Sequence, residues 1–91
     1  MIEHERKGHK GAFFWAQDGT RLAEMTYTVA GSRVIIDHTD VDEVLRGKGA
    51  GAQLVRAAVE WARKEKVKLL PLCPFAKSVF DKTPEYGDVK A

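Results

Sequence analysis

The sequence predicts an α+β fold: a mixed, mostly antiparallel sheet with one parallel βαβ crossover and a short C-terminal helix. Three observations predict it. Runs of β-branched and aromatic residues, separated by tight-turn dipeptides, fill the stretch from Ala12 to Val41. After Gly51 the apolar period lengthens from two residues to about 3.6. A short apolar run, Val67 to Leu72, then follows the helix.

The leader, Met1 to Lys7, is polar, and its His4 together with His9 is spaced unlike metal ligands. Ala12-Phe13-Phe14-Trp15-Ala16 is the first predicted strand, closed by Asp18-Gly19, a strong hairpin signal. Phe13, Phe14 and Trp15 alternate, so one side of this strand needs cover. Leu22 to Val29 forms the second strand, and Ala30-Gly31-Ser32 turns the chain into the third, Arg33 to Val41. Short turns between strands imply an antiparallel meander. Leu54, Ala58, Trp61 and Ala62, flanked by Val55 and Val59, then make the stripe of an amphipathic helix, with Trp61 expected in the core. Arg56, Glu60, Arg63 and Lys64 cover its outer side. Val67 to Leu72 reads as a buried strand running parallel to Arg33–Val41, because a helix of this length makes the connection a crossover. Pro74 to Asp81 suits a short helix with Phe75, Val79 and Phe80 turned inward, and Pro84-Glu85-Tyr86 closes it.

Ninety-one residues suffice for one small domain, 1–91, and an apolar share of 44% excludes a disordered chain. The charges are mixed in sign and sum to +2, which argues against a dedicated nucleic-acid binder despite a pI of 8.8. Cys73 is the single cysteine, so no internal disulfide forms and a reducing, cytoplasmic location is expected. No apolar run is long enough for a membrane span or a secretory signal, and no metal site is expected. A monomer or weak homo-oligomer is expected, with the choice between them left open by the sequence.

The chemistry concentrates in Arg46-Gly47-Lys48-Gly49-Ala50-Gly51, where the third predicted strand ends and the helix begins. Glycines are costly inside a helix, about 1 kcal/mol each relative to alanine. At a helix entrance they let the backbone approach a ligand and leave the first amides free. Those amides and the helix dipole favour an anion, and Arg46 and Lys48 add positive charge; a pyrophosphate is the natural guest. The P-loop fails because Gly49, not serine or threonine, follows Lys48. The dinucleotide fingerprint fails on glycine spacing.

The turn does match the Gln/Arg-x-x-Gly-x-Gly/Ala signature of GCN5-related N-acetyltransferases, with Arg46, Gly49 and Gly51 at its defining positions. Val41-Asp42-Glu43-Val44-Leu45 also resembles that family's approach to the turn, and the resemblance extends over Arg33 to Tyr86. The chain is similar to the short branch of the superfamily, through Asp37-His38-Thr39, Leu72-Cys73-Pro74-Phe75 and Pro84-Glu85-Tyr86. The resemblance implies an acetyl-CoA-binding N-acetyltransferase acting on an amine. The amides of Arg46, Gly47, Lys48, Gly49, Ala50 and Gly51 would hold the pyrophosphate, and the backbone near Thr39 and Val41 would pair with the pantetheine arm. The thioester would lie where the third predicted strand and the last one splay apart.

Two departures from the family pattern bear on function. A tight hairpin replaces the helices that help form the acceptor pocket in longer members, so the acceptor site is open or completed by a partner. Where many members carry Asn-x-x-Ala-x-x-x-Tyr, this chain has Cys73, Ala76 and Phe80, and Phe80 cannot act as the proton donor. Cys73, before Pro74 at a helix start, can serve as acid or nucleophile; its bland alternative is a small buried hydrophobe. His38, between Asp37 and Asp40, is the candidate general base, or else a structural hydrogen-bonding residue. Adjacent strands make it feasible for His38 and Cys73 to share one site. The rival reading is a CoA- or acyl-CoA-binding regulatory module without turnover.

Overall fold

A computed structural model describes residues 2–91. Three two-residue turns set its first four strands: β1 Ile2–Lys7, β2 Lys10–Gln17, β3 Thr20–Ala30 and β4 Arg33–Val41. At the second turn both Asp18 and Gly19 have positive φ, 52° and 80°, the twist that matches antiparallel strands. A 3-10 turn, Glu43–Leu45, leads from β4 through the glycine turn to α1, Ala50–Glu65. The chain returns as β5, Lys68–Pro71, parallel to β4, and ends in α2, Pro74–Lys82, and a 3-10 segment, Pro84–Val89. The sheet order is β1-β2-β3-β4-β5, which is the mixed sheet with one parallel crossover that the sequence predicts.

β1 corrects the reading of the leader as a polar extension. It has little apolar alternation because it is an edge strand, where charge discourages further pairing. Ile2 pairs with Trp15 and His4 with Phe13 on the helical face of the sheet, while Glu3 and Glu5 oppose Phe14 and Ala12 on the outer face. Arg21 of β3 reaches Glu5 at 2.7 Å and Glu24 at 2.5 Å. Its guanidinium lies 3.8 Å from the centre of the Phe14 ring, and this covers the outward aromatic of β2.

Both helices pack on one face of the sheet. Leu54, Val55, Ala58, Val59 and Ala62 of α1 bury against Met25, Tyr27, Val34, Ile36 and Leu69. Trp61 sits at the rim of this core rather than inside it, 5.3 Å from the Tyr27 ring and 5.2 Å from His4. Of the three α2 side chains expected inward, Phe80 is buried and Val79 half-buried, but Phe75 is 41% exposed. It stands in the first turn of α2 and lies over Gly51 of α1; a Cβ on Gly51 would run into its ring.

His4 pins β1 to the core. Its ring stacks on Phe13 at 4.1 Å, and its Nε2 lies 2.5 Å from the Tyr27 hydroxyl. Tyr27 in turn occupies the space above Gly11, where a side chain would meet the phenol ring and the Glu5 carbonyl. Burial raises the pKa of Tyr27, so its hydroxyl stays protonated while it shares this hydrogen bond with the His4 ring. Burial, then Arg6, lowers the pKa of His4 below 6.5, against an opposing pull from Glu65. A histidine with a lowered folded pKa stabilises the fold above its unfolded pKa, and that contribution is lost as pH falls from there through the lower folded pKa. Acidification from pH 7 to 5 is therefore expected to lower the midpoint of urea unfolding, and His4→Gln to flatten that part of the pH dependence. Identical pH profiles for the two proteins would contradict this role.

Candidate functional site

The site is built where β4 and β5 part. Their ladder runs from Arg33–Lys68 to Ile36–Pro71, and the Ile36 carbonyl takes the last bonds, from the amides of Leu72 (3.2 Å) and Cys73 (3.3 Å). Beyond this point β4 continues to Val41 while the other chain turns into α2. The Asp42 amide donates to the Leu22 carbonyl, on the β3 side. Backbone groups alternate sides along a strand, so those of Thr39 and Val41 face away from β3 and into the opening. They form the exposed edge expected to meet an extended ligand arm.

One extra residue decides which side chains line this opening. Ile36 pairs with Tyr27 and His38 with Thr26, so Asp37 is a bulge in β4. Asp37 turns outward and accepts from the Thr28 hydroxyl at 2.7 Å. His38 also lies on the outer face, 67% exposed, with Nε2 2.9 Å from Asp40 Oδ2. Thr39, paired with buried Met25, turns to the helical face instead, and its Oγ1 lies 3.1 Å from Cys73 Sγ. Without the bulge, simple alternation would put His38 where Thr39 is. His38 and Cys73 therefore do not meet; they flank the opening from opposite faces of the sheet. No sequence signal marked the bulge beyond two consecutive polar residues, Asp37 and His38.

Cys73 is 5% exposed and caps α2, its Sγ accepting from the Ala76 amide at 3.3 Å. Pro74 follows as the first helical residue, where its missing N–H costs nothing.

At the other end of the opening lies the glycine turn. Gly47 and Gly49 have φ of 80° and 67°, and nothing stands within 4 Å of where their Cβ atoms would be. The Arg46 amide donates to the Glu43 carbonyl and the Lys48 amide to the Leu45 carbonyl. These two of the six amides expected to hold a pyrophosphate are thus used within the turn, and only their side chains stay available to a ligand. The Gln53 side chain donates to the Lys48 carbonyl and helps hold the turn in shape. Among the described residues, none accepts from the amides of Gly47, Gly49, Ala50, Gly51 or Ala52. Five donors thus surround the positive end of a 16-residue helix, with exposed Arg46 and Lys48 beside them. They border a groove of about 320 Å³ with apolar walls from Val41, Leu45 and Phe75. Among the described residues, the exposed large hydrophobic side chains are Val41, Val44, Leu72 and Phe75. Phe75 and the Thr39 hydroxyl were not among the residues singled out for these contacts from the sequence. Gly51 inside a helix was the available signal for Phe75, since it marks a close approach.

The donor set fits a pyrophosphate: free amides, positive charge and open space at the glycines, then an unpaired strand edge and a thiol. Among the described residues, no three His, Cys, Asp or Glu side chains gather to hold a metal ion, and no helix is long and apolar enough to cross a membrane.

The family model for GCN5-related N-acetyl-transferase matches residues 12–89. The chain belongs to this family. A GCN5-like protein from Staphylococcus aureus, solved in solution by NMR, is 36% identical, with a TM-score of 0.73. The match covers 98% of this chain and 87% of that one. The ribosomal-protein-S18-alanine N-acetyltransferase of Escherichia coli is 17% identical with a TM-score of 0.70, over 85% of this chain and 53% of that enzyme. AAC(6')-Iy, solved with the bisubstrate analogue CoA-S-monomethyl-acetylneamine, is 15% identical with a TM-score of 0.57, over 89% of this chain and 63% of that one. The last two likenesses concern the fold alone, and this GCN5-related chain spans less than two thirds of each. No curated protein matches it in sequence.

Proposed function

We propose that this GCN5-related chain binds acetyl-CoA and transfers the acetyl group to an amine. The observation that carries the reading is the succession of three required features along the diverging ends of β4 and β5 and the start of α1. Unpartnered amides of the glycine turn stand at one end, the free edge of Thr39 and Val41 follows, and the Cys73 thiol lies at the point where the strands part. Acetyl-CoA supplies the activated acyl group as a thioester.

The protein's own residues then have distinct tasks. The free amides of Gly47, Gly49, Ala50, Gly51 and Ala52, with the Arg46 and Lys48 side chains, hold the pyrophosphate, and the β4 edge extends the pantetheine arm as an added strand. His38, oriented by Asp40, faces the outer side and takes the proton from the incoming amine. Cys73, on the helical side, either returns a proton to the departing thiolate or receives the acetyl group itself. The two groups work from opposite faces, so neither has to serve as both acid and base. The outer face carries no helix, and the acceptor reaches the thioester across it.

The test is to incubate the purified protein with acetyl-CoA and a panel of small and peptide amines, following release of the CoA thiol. Amine-dependent release supports the enzyme. Saturable binding without release for any amine supports the rival, a CoA-binding regulatory module, in keeping with buried Phe80 where many relatives carry a phenol.

A further inference from the structure

The hydroxyl of Thr39 has no place in the scheme above, which uses only the backbone of that residue. We infer that it is a positioning residue for Cys73, holding Sγ at the mouth of the opening in both protonation states; the inference rests on the acetyl-transfer reading. The geometry restricts what each atom can do. The Ala76 amide can only donate, so Sγ accepts on the α2 side. On the β4 side the partner is a hydroxyl at 3.1 Å, which can accept from S–H or donate to S⁻ by rotating. Sγ is thus held between an amide and a hydroxyl on the two elements that diverge.

A thiolate that is 95% enclosed needs donors, because burying an unpaired charge is costly. When Cys73 gives up its proton, the S–H bond breaks, the departing CoA sulfur gains the hydrogen, and the electron pair stays on Sγ. The Thr39 hydroxyl then turns to donate to Sγ beside the Ala76 amide, and water later restores the proton. If Sγ instead takes the acetyl group, its proton passes first to water. The new Sγ–C bond then forms as the C–S bond to CoA breaks, the departing thiolate regains a proton from water, and the same two donors hold the nucleophile in place. The bulge at Asp37 is what delivers Thr39, rather than His38, to this position.

Cys73 is the chain's only cysteine, so thiol modification reports on it alone. Thr39→Val keeps the shape and removes the hydroxyl; Thr39→Ser keeps the hydroxyl and removes a methyl. The rate of iodoacetamide modification at neutral pH is expected to fall about tenfold in Thr39→Val, the size of one hydrogen bond to a charged group. Thr39→Ser is expected to stay within about twofold of the parent, and urea unfolding confirms that both variants are folded. Equal rates for Thr39→Val and the parent would overturn the assignment. So would a Thr39→Ser protein as slow as Thr39→Val, which would make bulk rather than the hydroxyl responsible. Parent protein that binds no acetyl-CoA would sink the acetyl-transfer reading separately, while a slow Thr39→Val and a rescued Thr39→Ser would still support the coupling of hydroxyl and thiol.

Discussion

Gly49→Glu is expected to weaken acetyl-CoA binding by more than about 100-fold while leaving the protein folded. Gly49 stands immediately before α1 with φ of 67°, and nothing lies within 4 Å of the position a Cβ would take. A side chain there has room, so its structural cost is the left-handed conformation, about 1–2 kcal/mol. Its carboxylate, however, enters the space toward which the free amides of Gly47, Gly49, Ala50, Gly51 and Ala52 and the helix dipole direct positive potential. It would satisfy those donors from within and repel the pyrophosphate. Gly49→Ala separates the two effects, because it carries the conformational cost without the charge and is expected to bind within about tenfold of the parent. Calorimetric titration with acetyl-CoA, alongside thermal unfolding of each variant, reads both. Unchanged affinity in Gly49→Glu would place the phosphates elsewhere.

Cys73→Ala is expected to bind acetyl-CoA much as the parent does and to lower acetyl transfer by about 100-fold, the lower range for loss of a positioned proton-transfer group. The pyrophosphate and pantetheine contacts come from the glycine turn and the β4 backbone, which the substitution leaves alone. What disappears is the sulfur that meets the Ala76 amide and the Thr39 hydroxyl. Some stability goes with it, of the order of 1–3 kcal/mol for two partners left unpaired. Cys73→Ser keeps a polar atom at the cap and separates loss of fold from loss of chemistry. Full-rate transfer by Cys73→Ala would return the residue to the role of a buried hydrophobe. An acetyl adduct on Cys73 in the mass spectrum of the parent after acetyl-CoA treatment would favour the route through the thiol.

The parts of this molecule that were legible in the sequence are those governed by local rules. Asp18-Gly19 names its turn, the β-branched run in β4 names a buried strand, and the stripe from Leu54 to Ala62 names the face of α1. The crossover followed from chain connectivity, and the glycine turn from the cost of glycine within a helix. The misses depend on partners that local patterns do not encode. β1 carries mostly charged residues, and its strand conformation comes from pairing with β2 and from the His4–Tyr27 contact, twenty-three residues apart. Phe75 sits at an inward-looking position of α2, yet it goes to the gap above Gly51 because that glycine leaves space there. For the candidate site, the glycine turn with its free amides was readable because its residues follow one after another in the chain. The relation of His38 to Cys73 was not, because a one-residue bulge reverses which side chain faces the thiol. A period-two reading of β4 has no means of seeing that residue.

The central claim is that the opening from the glycine turn to Cys73 is where acetyl-CoA binds. It is tested most directly by titrating isotope-labelled protein with acetyl-CoA and following each backbone amide by NMR. The account predicts saturable shifts concentrated at Gly47, Gly49, Ala50, Gly51 and Ala52, continuing to Thr39, Val41 and Cys73, with β1 and β2 unmoved. Saturable shifts centred elsewhere, or none at millimolar ligand, would contradict it.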